Sequence, residues 1–281
     1  MMAKAQESPI LVVGGTGKTG RRVVERLVAR DRPTRIAARS GDPRFDWADR
    51  STWPAVLEGV AAAYLTYYPD LAFPGASERV RAFADLAVAN DVRRLVLLSG
   101  RNEDGAQLGE QAVQKSGAEW TIVRSSMFNQ DFSEAFFLEP LLAGELAFPA
   151  GNIAEPFIDA DDIADIVVEA LTHDRHVGQL YEVTGPRLLT FSQAVAEIAE
   201  ASGRDMRYVP ISAEEFAAAM ADTGLPPQEV RDYTELFTTI LDGRSAYLAD
   251  GVQRALGRAP RDFADWARAT ADTGVWGTSA A

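Results

Sequence analysis

A short apolar run, Pro9-Ile10-Leu11-Val12-Val13, ends in the glycine-rich turn Gly14-Gly15-Thr16-Gly17-Lys18-Thr19-Gly20. The run reads as a buried parallel strand. After the turn, Thr19 to Arg30 sets Val23, Val24, Leu27 and Val28 on a helical stripe among arginines. Two patterns overlap in the turn, Gly15-x-Gly17-x-x-Gly20 and Gly14-x-x-Gly17-x-x-Gly20. Either makes a tight strand-to-helix turn and lets backbone N–H groups approach a pyrophosphate at the helix N-terminus. A triphosphate-wrapping loop, G-x-x-x-x-G-K-[ST], is excluded: the place of its first glycine is taken by Val12, inside the strand.

The same strand–helix alternation continues. Thr34 to Ala38, Val60 to Thr66, Val92 to Leu98 and Glu119 to Val123 read as strands. Ala76 to Asn90 and Gly105 to Lys115 read as helices. This order predicts an α/β fold, a Rossmann-type doubly wound parallel sheet with helices on both faces. Further on, Phe128 to Gly144 reads as an aromatic helix, Asp159 to Leu171 as a helix with acids in its first turn, and Leu180 to Val183 as a late strand. Beyond Gly185-Pro186 the chain reads as mostly helical. The expected division is a dinucleotide-binding domain over 1–184, with 129–156 contributing to a substrate pocket, and a smaller helical lid over 185–281. The tail Gly277 to Ala281 is expected to be disordered.

The end of the second strand discriminates between nicotinamide cofactors. NAD binding usually needs an acid about 20 residues past the glycines, for the ribose 2′-hydroxyl. Here the strand ends Ala37-Ala38-Arg39-Ser40, with no acid. Arg39 can pair with a 2′-phosphate, assisted by Lys18 or Ser40. The expectation is NADP(H).

Composition narrows the chemistry. With no cysteine there is no thiolate nucleophile and no cysteine-based metal or iron–sulfur site. The two histidines, His173 and His176, share one polar stretch that reads as an exposed loop, spaced unlike a zincin pair, and no metal site is expected. The usual short-chain dehydrogenase dyad, Tyr-x-x-x-Lys, is absent: Gln111 stands four before Lys115 and Gly14 four before Lys18, and Lys4 is too near the start. A net charge of −13 argues against nucleic acid and anionic lipid, and fits a neutral or cationic small molecule. No run approaches the ~20 apolar residues of a membrane span, and Met1 to Ser8 has no secretory core. A cytoplasmic monomer or homodimer is expected.

Several segments together carry a family resemblance: the glycine turn, Val96-Leu97-Leu98-Ser99-Gly100, and Glu119-Trp120-Thr121-Ile122-Val123-Arg124 with Met127-Phe128 and Phe132. The chain resembles the NmrA-like branch of atypical short-chain dehydrogenases and reductases. Phe45-Asp46-Trp47, Thr223 to Glu229 and Gly257 to Phe263 make it more similar to the ergot-alkaloid-type reductases, the agroclavine and festuclavine dehydrogenases. The resemblance implies NADP(H), a C-terminal substrate lid, and Asp46 and Trp47 near the adenine. It also implies that Thr66-Tyr67-Tyr68-Pro69 and Ser99-Gly100 border the nicotinamide, which agrees with the rule that ligands bind at strand carboxyl ends. Many relatives carry His or Lys early in the helix before the Trp-Thr-Ile strand; here the remaining candidate is Glu110, read as an exposed helix-face acid that could touch substrate.

The candidate catalytic residues are thus Tyr67, Tyr68, Ser99 and Glu110. Met127, Phe128 and Phe132 are candidates for the substrate wall, with Phe128, Phe132 and Phe136 forming a stripe that is core, wall or both. Arg124 reads as a buried partner of a carboxylate or carbonyl. Asp159, Asp161 and Asp162 read as the cap and charge of the helix they start. The activity expected is hydride transfer from NADPH to an iminium or imine, a quinone or a conjugated enone. The alternative is a non-catalytic NADP(H)-binding redox sensor that offers its lid to a partner protein.

Overall fold

The computed structural model describes residues 8–277. All of the C-terminal tail except Gly277 lies outside them, as does the stretch before Ser8. The elements run β1 (Ile10–Val13), α1 (Lys18–Val28), β2 (Thr34–Ala37), α2 (Trp53–Leu57), β3 (Ala62–Leu65), α3 (Ala76–Ala89), β4 (Arg94–Gly100), α4 (Asp104–Gln114) and β5 (Glu119–Ser125). Then come α5 (Asp131–Glu134), α6 (Leu138–Leu142), β6 (Glu145–Phe148), β7 (Ala154–Glu155), α7 (Ala160–Thr172) and β8 (Gln179–Val183). The last are β9 (Leu189–Thr190), α8 (Phe191–Ser202), β10 (Arg207–Pro210), α9 (Ala213–Asp222), α10 (Pro227–Ile240), α11 (Gly251–Leu256) and α12 (Phe263–Ala271).

Six strands form one parallel sheet in the order β2-β1-β3-β4-β5-β8. Strand direction explains the two cores. Leu11 and Val13 of β1 face a core with Leu65, Phe83 and Leu97, under α3 and α4. Ile10 and Val12 face the opposite core with Tyr64, Val96 and Ile166, under α1, α7 and α11. Helices on both faces make the sheet doubly wound, as expected, and the order reverses at β1 and β3, where such sheets bind ligands.

The arginines of α1 are not a solvated face. Arg22, Arg26 and Arg30 meet Asp161, Asp165 and Glu169 of α7, two parallel rows at helical spacing. Asp159 caps α7 by accepting from the Asp161 N–H at 2.8 Å. Asp162 does more than charge the helix end: it is buried and accepts the Arg261 backbone N–H at 2.7 Å, with Arg258 and Arg261 paired to it. The Gly257-to-Phe263 segment is thereby tied to α7.

A third core is rich in aromatic rings. It joins Phe132, Phe137, Phe148, Phe157 and Phe191 to Phe237, Phe263, Trp266 and Trp276. Two short pairings frame it, β6 with β10 in parallel and β7 with β9 antiparallel. α8 and α9 start with reciprocal capping boxes, Thr190–Gln193 and Ser212–Glu215. The mostly helical end of the chain is as expected; the short strands within it were not anticipated.

Two expectations are corrected. Phe128 to Gly144 is not one helix but α5 and α6 with a break at Ala135. In a continuous helix Pro140 would be interior, lacking its N–H and clashing with the turn before it. As a result Phe132 and Phe137 are buried while Phe136 is 40% exposed. Of the two histidines, only His173 is exposed. His176 is 1% exposed, its Nδ1 lies 2.9 Å from the Tyr181 hydroxyl, and its carbonyl accepts from Thr121 at 2.7 Å. Packing on β5 and β8, not loop polarity, decides its place, and burial with the adjacent Arg175 lowers its pKa.

Candidate cofactor and substrate site

The glycine turn has the shape its spacing requires. Gly14 stands at φ +70°, and a Cβ there would overlap the Thr66 hydroxyl. A Cβ at Gly20 would overlap the Gly14 carbonyl oxygen and lie 2.7 Å from the Gly14 carbonyl carbon. Helix and strand can approach this closely only with glycine. Gly17 is the N-cap of α1 in extended backbone, with no side-chain cap and no acid in the first turn. Thr16 and Gly17 are exposed. An uncapped, acid-free helix start with exposed backbone N–H groups is a phosphate cradle, so the residues present fit a dinucleotide pyrophosphate.

Past β2, Arg39 and Ser40 are exposed and no acid stands at the strand end. Among the described residues Arg39 makes no ion pair; its guanidinium lies 5.0 Å from the centre of the Tyr68 ring. Lys18 does not join it. Lys18 pairs with Asp131 and lies 5.6 Å from the Phe128 ring centre, on the α5 side of the turn. Asp46 accepts from Arg44 at 2.9 Å and from the Ala48 N–H. Trp47 is buried, donating its indole N–H to the Thr66 carbonyl at 2.9 Å and packing against Phe45, Trp53, Tyr67 and Phe83. It thus braces the end of β3.

At the carboxyl ends of β3 and β4 the candidates divide. The Tyr67 hydroxyl accepts from Arg79 at 3.1 Å, and its ring packs on Trp47. Tyr68 is 64% exposed, with the Arg39 guanidinium over its ring. Pro69 follows it, half-buried. Ser99 is buried and donates to Glu110 at 2.7 Å. Glu110 is not an exposed helix-face acid: it is 3% exposed, its two oxygens held by Arg124, with Nε at 2.8 Å. The side of α4 that carries it packs on β4 and β5, where Arg124 needs a partner. Arg124 is the carboxylate-bound arginine expected.

The structure adds residues that pattern reading missed. Asp70, right after Tyr67-Tyr68-Pro69, accepts the Ala72 N–H at 2.8 Å. The Glu103 carboxyl occupies the space a Cβ at Gly100 would need. Tyr233 of α10 packs edge-on against Phe73 at 5.0 Å and near-parallel to Phe237 at 6.3 Å. Burial, with Tyr68, Asp70 and Glu229 nearby, raises Tyr233 to about 12. Phe136 meets Tyr233 and Phe237 at 6.2 and 5.5 Å. Asn129 is fully buried with neither amide atom bonded, and Glu155 is buried with one oxygen unbonded and a pKa raised to about 7 by burial. None of these falls in a spacing motif. Only the position of Asp70 and Glu103 just after two strand ends was a signal.

Met127 and Phe128 are half-buried beside the turn, and the Met127 carbonyl accepts from Ile158 at 2.9 Å. Phe132 is wholly buried in the aromatic core, so it supports the wall from behind and does not line it.

No protein-family model matches the chain. It is similar along nearly its whole length to curated proteins. An NAD(P)H azoreductase of Xenophilus azovorans is 32% identical, covering 93% of this chain and 98% of its own. An agroclavine dehydrogenase of Claviceps fusiformis is 29% identical, covering 92% and 95%. Among solved structures, a Citrobacter sp. triphenylmethane reductase complexed with NADP(H) shares the fold, with a TM-score of 0.74 at 16% identity over 94% of this chain and 99% of that one. With the glycine cradle, the parallel sheet and these full-length relatives in place, the chain belongs to the NmrA-like branch of the atypical short-chain dehydrogenases and reductases, a family of NAD(P)H-dependent oxidoreductases.

Proposed function

We propose that the protein is an NADPH-dependent reductase that delivers hydride to a planar, electron-poor small molecule, neutral or cationic: an iminium or imine, a quinone, a conjugated enone or an azo compound. The observation that carries this reading is the uncapped, acid-free start of α1 above the glycine turn, with Arg39 exposed beyond β2, its guanidinium over the exposed Tyr68 ring and, among the described residues, in no ion pair.

Gly14 to Gly20 would hold the pyrophosphate on backbone N–H groups. Arg39, with Ser40 beside it, would take the 2′-phosphate. Asp46 and Trp47 would border the adenine, Trp47 mainly by fixing the Thr66 carbonyl. Tyr67, Tyr68, Pro69, Ser99 and Gly100 would border the nicotinamide. Bound NADPH supplies the hydride. The protein's own part is to orient the acceptor and exclude water. Ser99, Glu110 and Arg124 are bonded into one unit beneath the site, with both Glu110 oxygens taken by protein partners. Tyr68, Phe128, Phe136 and Tyr233 offer ring faces, and Met127 its thioether, to a flat acceptor. We place the substrate lid within 185–281, apart from α11 on the sheet face, with 129–156 lining the pocket, and the protein in the cytoplasm as a monomer or homodimer. Among the described residues no helix is long and apolar enough to cross a membrane.

The test is a screen for NADPH oxidation with cyclic iminium salts, quinones, enones and azo dyes. Turnover of any flat acceptor with NADPH preferred over NADH supports the reading. Tight NADPH binding without turnover of any of them supports the redox-sensor alternative instead.

A further inference from the structure

With both Glu110 oxygens held by Arg124 and no Tyr-x-x-x-Lys dyad, the proton donors named so far for a reduced neutral acceptor are the Tyr67 and Tyr68 hydroxyls. A second carboxyl stands where one is needed. All three carboxyl atoms of Glu103 lie over the Cα of Gly100, at the carboxyl end of β4. Only a glycine there leaves this room. Among the described residues no hydrogen bond or ion pair reaches the Glu103 oxygens, and the residue is partly exposed. Asp70 faces it from the loop after β3. That loop is pressed on the start of α4, since a Cβ at Gly105 would lie 2.9 Å from the Ala72 Cα. Tyr233 closes the same space from the lid side, against Phe73 and beside Asp70.

We propose that Glu103, positioned by Gly100 at the carboxyl end of β4 and facing Asp70, is the general acid of this site. The inference rests on the reductase reading above. After hydride adds to one atom of a neutral N=N or C=C–C=O acceptor, an electron pair is left on the conjugated partner atom. The Glu103 O–H bond breaks, that electron pair takes the proton to form N–H or C–H, and the carboxylate regains a proton from water. An iminium acceptor needs no such step, because hydride alone neutralises it.

The charges around Glu103 agree. Crowding by protein, then Asp70, then Glu110 raise it well above the usual carboxylate range. Burial likewise raises Asp70. Glu110 is offset by Arg124, and Asp104 on α4 is offset by Arg244. Tyr68 and Tyr233 bring hydroxyls, and Glu229 on α10 adds to the negative field felt by Tyr233 and is not offset by a cation there. No cation is aimed at Glu103 itself among the described residues.

The experiment compares the wild type with Glu103→Gln on two probes, an aryl azo dye and an N-methyl cyclic iminium salt, and titrates the free proteins by carbon-13 NMR with labelled glutamate. General acid catalysis contributes about 10²- to 10⁴-fold. Glu103→Gln should therefore cut azo-dye kcat by about 100-fold or more, with KM and NADPH affinity little changed, and leave iminium turnover within about 3-fold. In the free wild type Glu103 should titrate above the ordinary range, and Asp70→Asn should bring it down. Equal effects on both probes, or none, overturn the proposal while leaving the reductase reading intact. A wild type that oxidises NADPH with neither probe nor any quinone or enone overturns that reading and this proposal with it. A Glu103 that titrates normally and is unmoved by Asp70→Asn overturns the proposal even if Glu103→Gln fails to fold.

Discussion

Replacing Gly20 with alanine should separate folding from cofactor binding. In the interior of a helix, alanine is favoured over glycine by about 1 kcal/mol. Against that, the new Cβ would overlap the Gly14 carbonyl oxygen and lie 2.7 Å from the Gly14 carbonyl carbon and 2.9 Å from the Gly15 Cα. Relaxed carbon contacts lie near 3.5–4.0 Å, so the turn must recede by about 1 Å. All three obstructing atoms are backbone, so no rotamer change relieves them. Overpacking of this kind costs about 1–3 kcal/mol, leaving a net loss of about 0–2 kcal/mol after the helix gain. The same 1 Å shift moves the N–H groups that would cradle the pyrophosphate. Losing one charge-assisted hydrogen bond costs about 1.5–3 kcal/mol, or roughly 10- to 150-fold in Kd. Calorimetric titration with NADPH and urea unfolding read the two effects apart. Gly59→Ala is the control: its φ of +68° strains an alanine, but nothing lies within 4 Å. It should lose about 1–2 kcal/mol of stability and bind NADPH as the wild type does. Gly20→Ala binding NADPH within about 3-fold of the wild type would refute the reasoning, as would an equal binding defect in Gly59→Ala.

Arg39→Ala should weaken NADPH by about 10-fold and NADH far less, since the lost guanidinium would meet the 2′-phosphate and otherwise lies over the exposed Tyr68 ring; calorimetry with both cofactors checks it. Arg124→Ala should destabilise by about 3 kcal/mol in urea unfolding, because it strands the buried Glu110 charge with only Ser99 beside it. Glu155 provides a pH signature. Its pKa is raised from 4.5 to about 7 in the folded state, so the folded protein holds a proton that the unfolded chain has released. Stability from this group is therefore full below about pH 4.5 and is lost as pH rises toward about 7, by about 3 kcal/mol in all. Glu155→Gln should flatten that loss in urea unfolding followed across the pH range, and an unchanged profile would refute it.

The elements that were legible are those whose residues serve one partner at a time. β1 and β4 are apolar runs because both of their faces are covered, and the glycine turn is legible because its backbone demands glycine. Arg39 and Ser40 stood out because an acid was missing beside them. What escaped was decided by tertiary contact. Glu110 has the sequence context of a surface acid and becomes buried because Arg124 arrives from a strand 14 residues later. His176 sits in a polar stretch and is buried by Tyr181. Phe136 breaks from its stripe because Pro140, early in α6, bars one continuous helix through Ala135. Glu103 and Tyr233 are brought toward one crevice from either side of Asp70 by elements 130 residues apart in the chain, beyond the reach of any local spacing rule.

The central claim is that bound NADPH reduces a flat acceptor at the carboxyl end of the sheet. Rapid mixing of the NADPH-loaded protein with an aryl azo dye and, separately, a quinone tests it most directly, with NADPH absorbance and acceptor colour followed in one trace. The account predicts that both signals decay together, one NADPH per two electrons accepted, and more slowly when NADH replaces NADPH. A protein that binds NADPH tightly yet leaves it unoxidised beside every acceptor would contradict it.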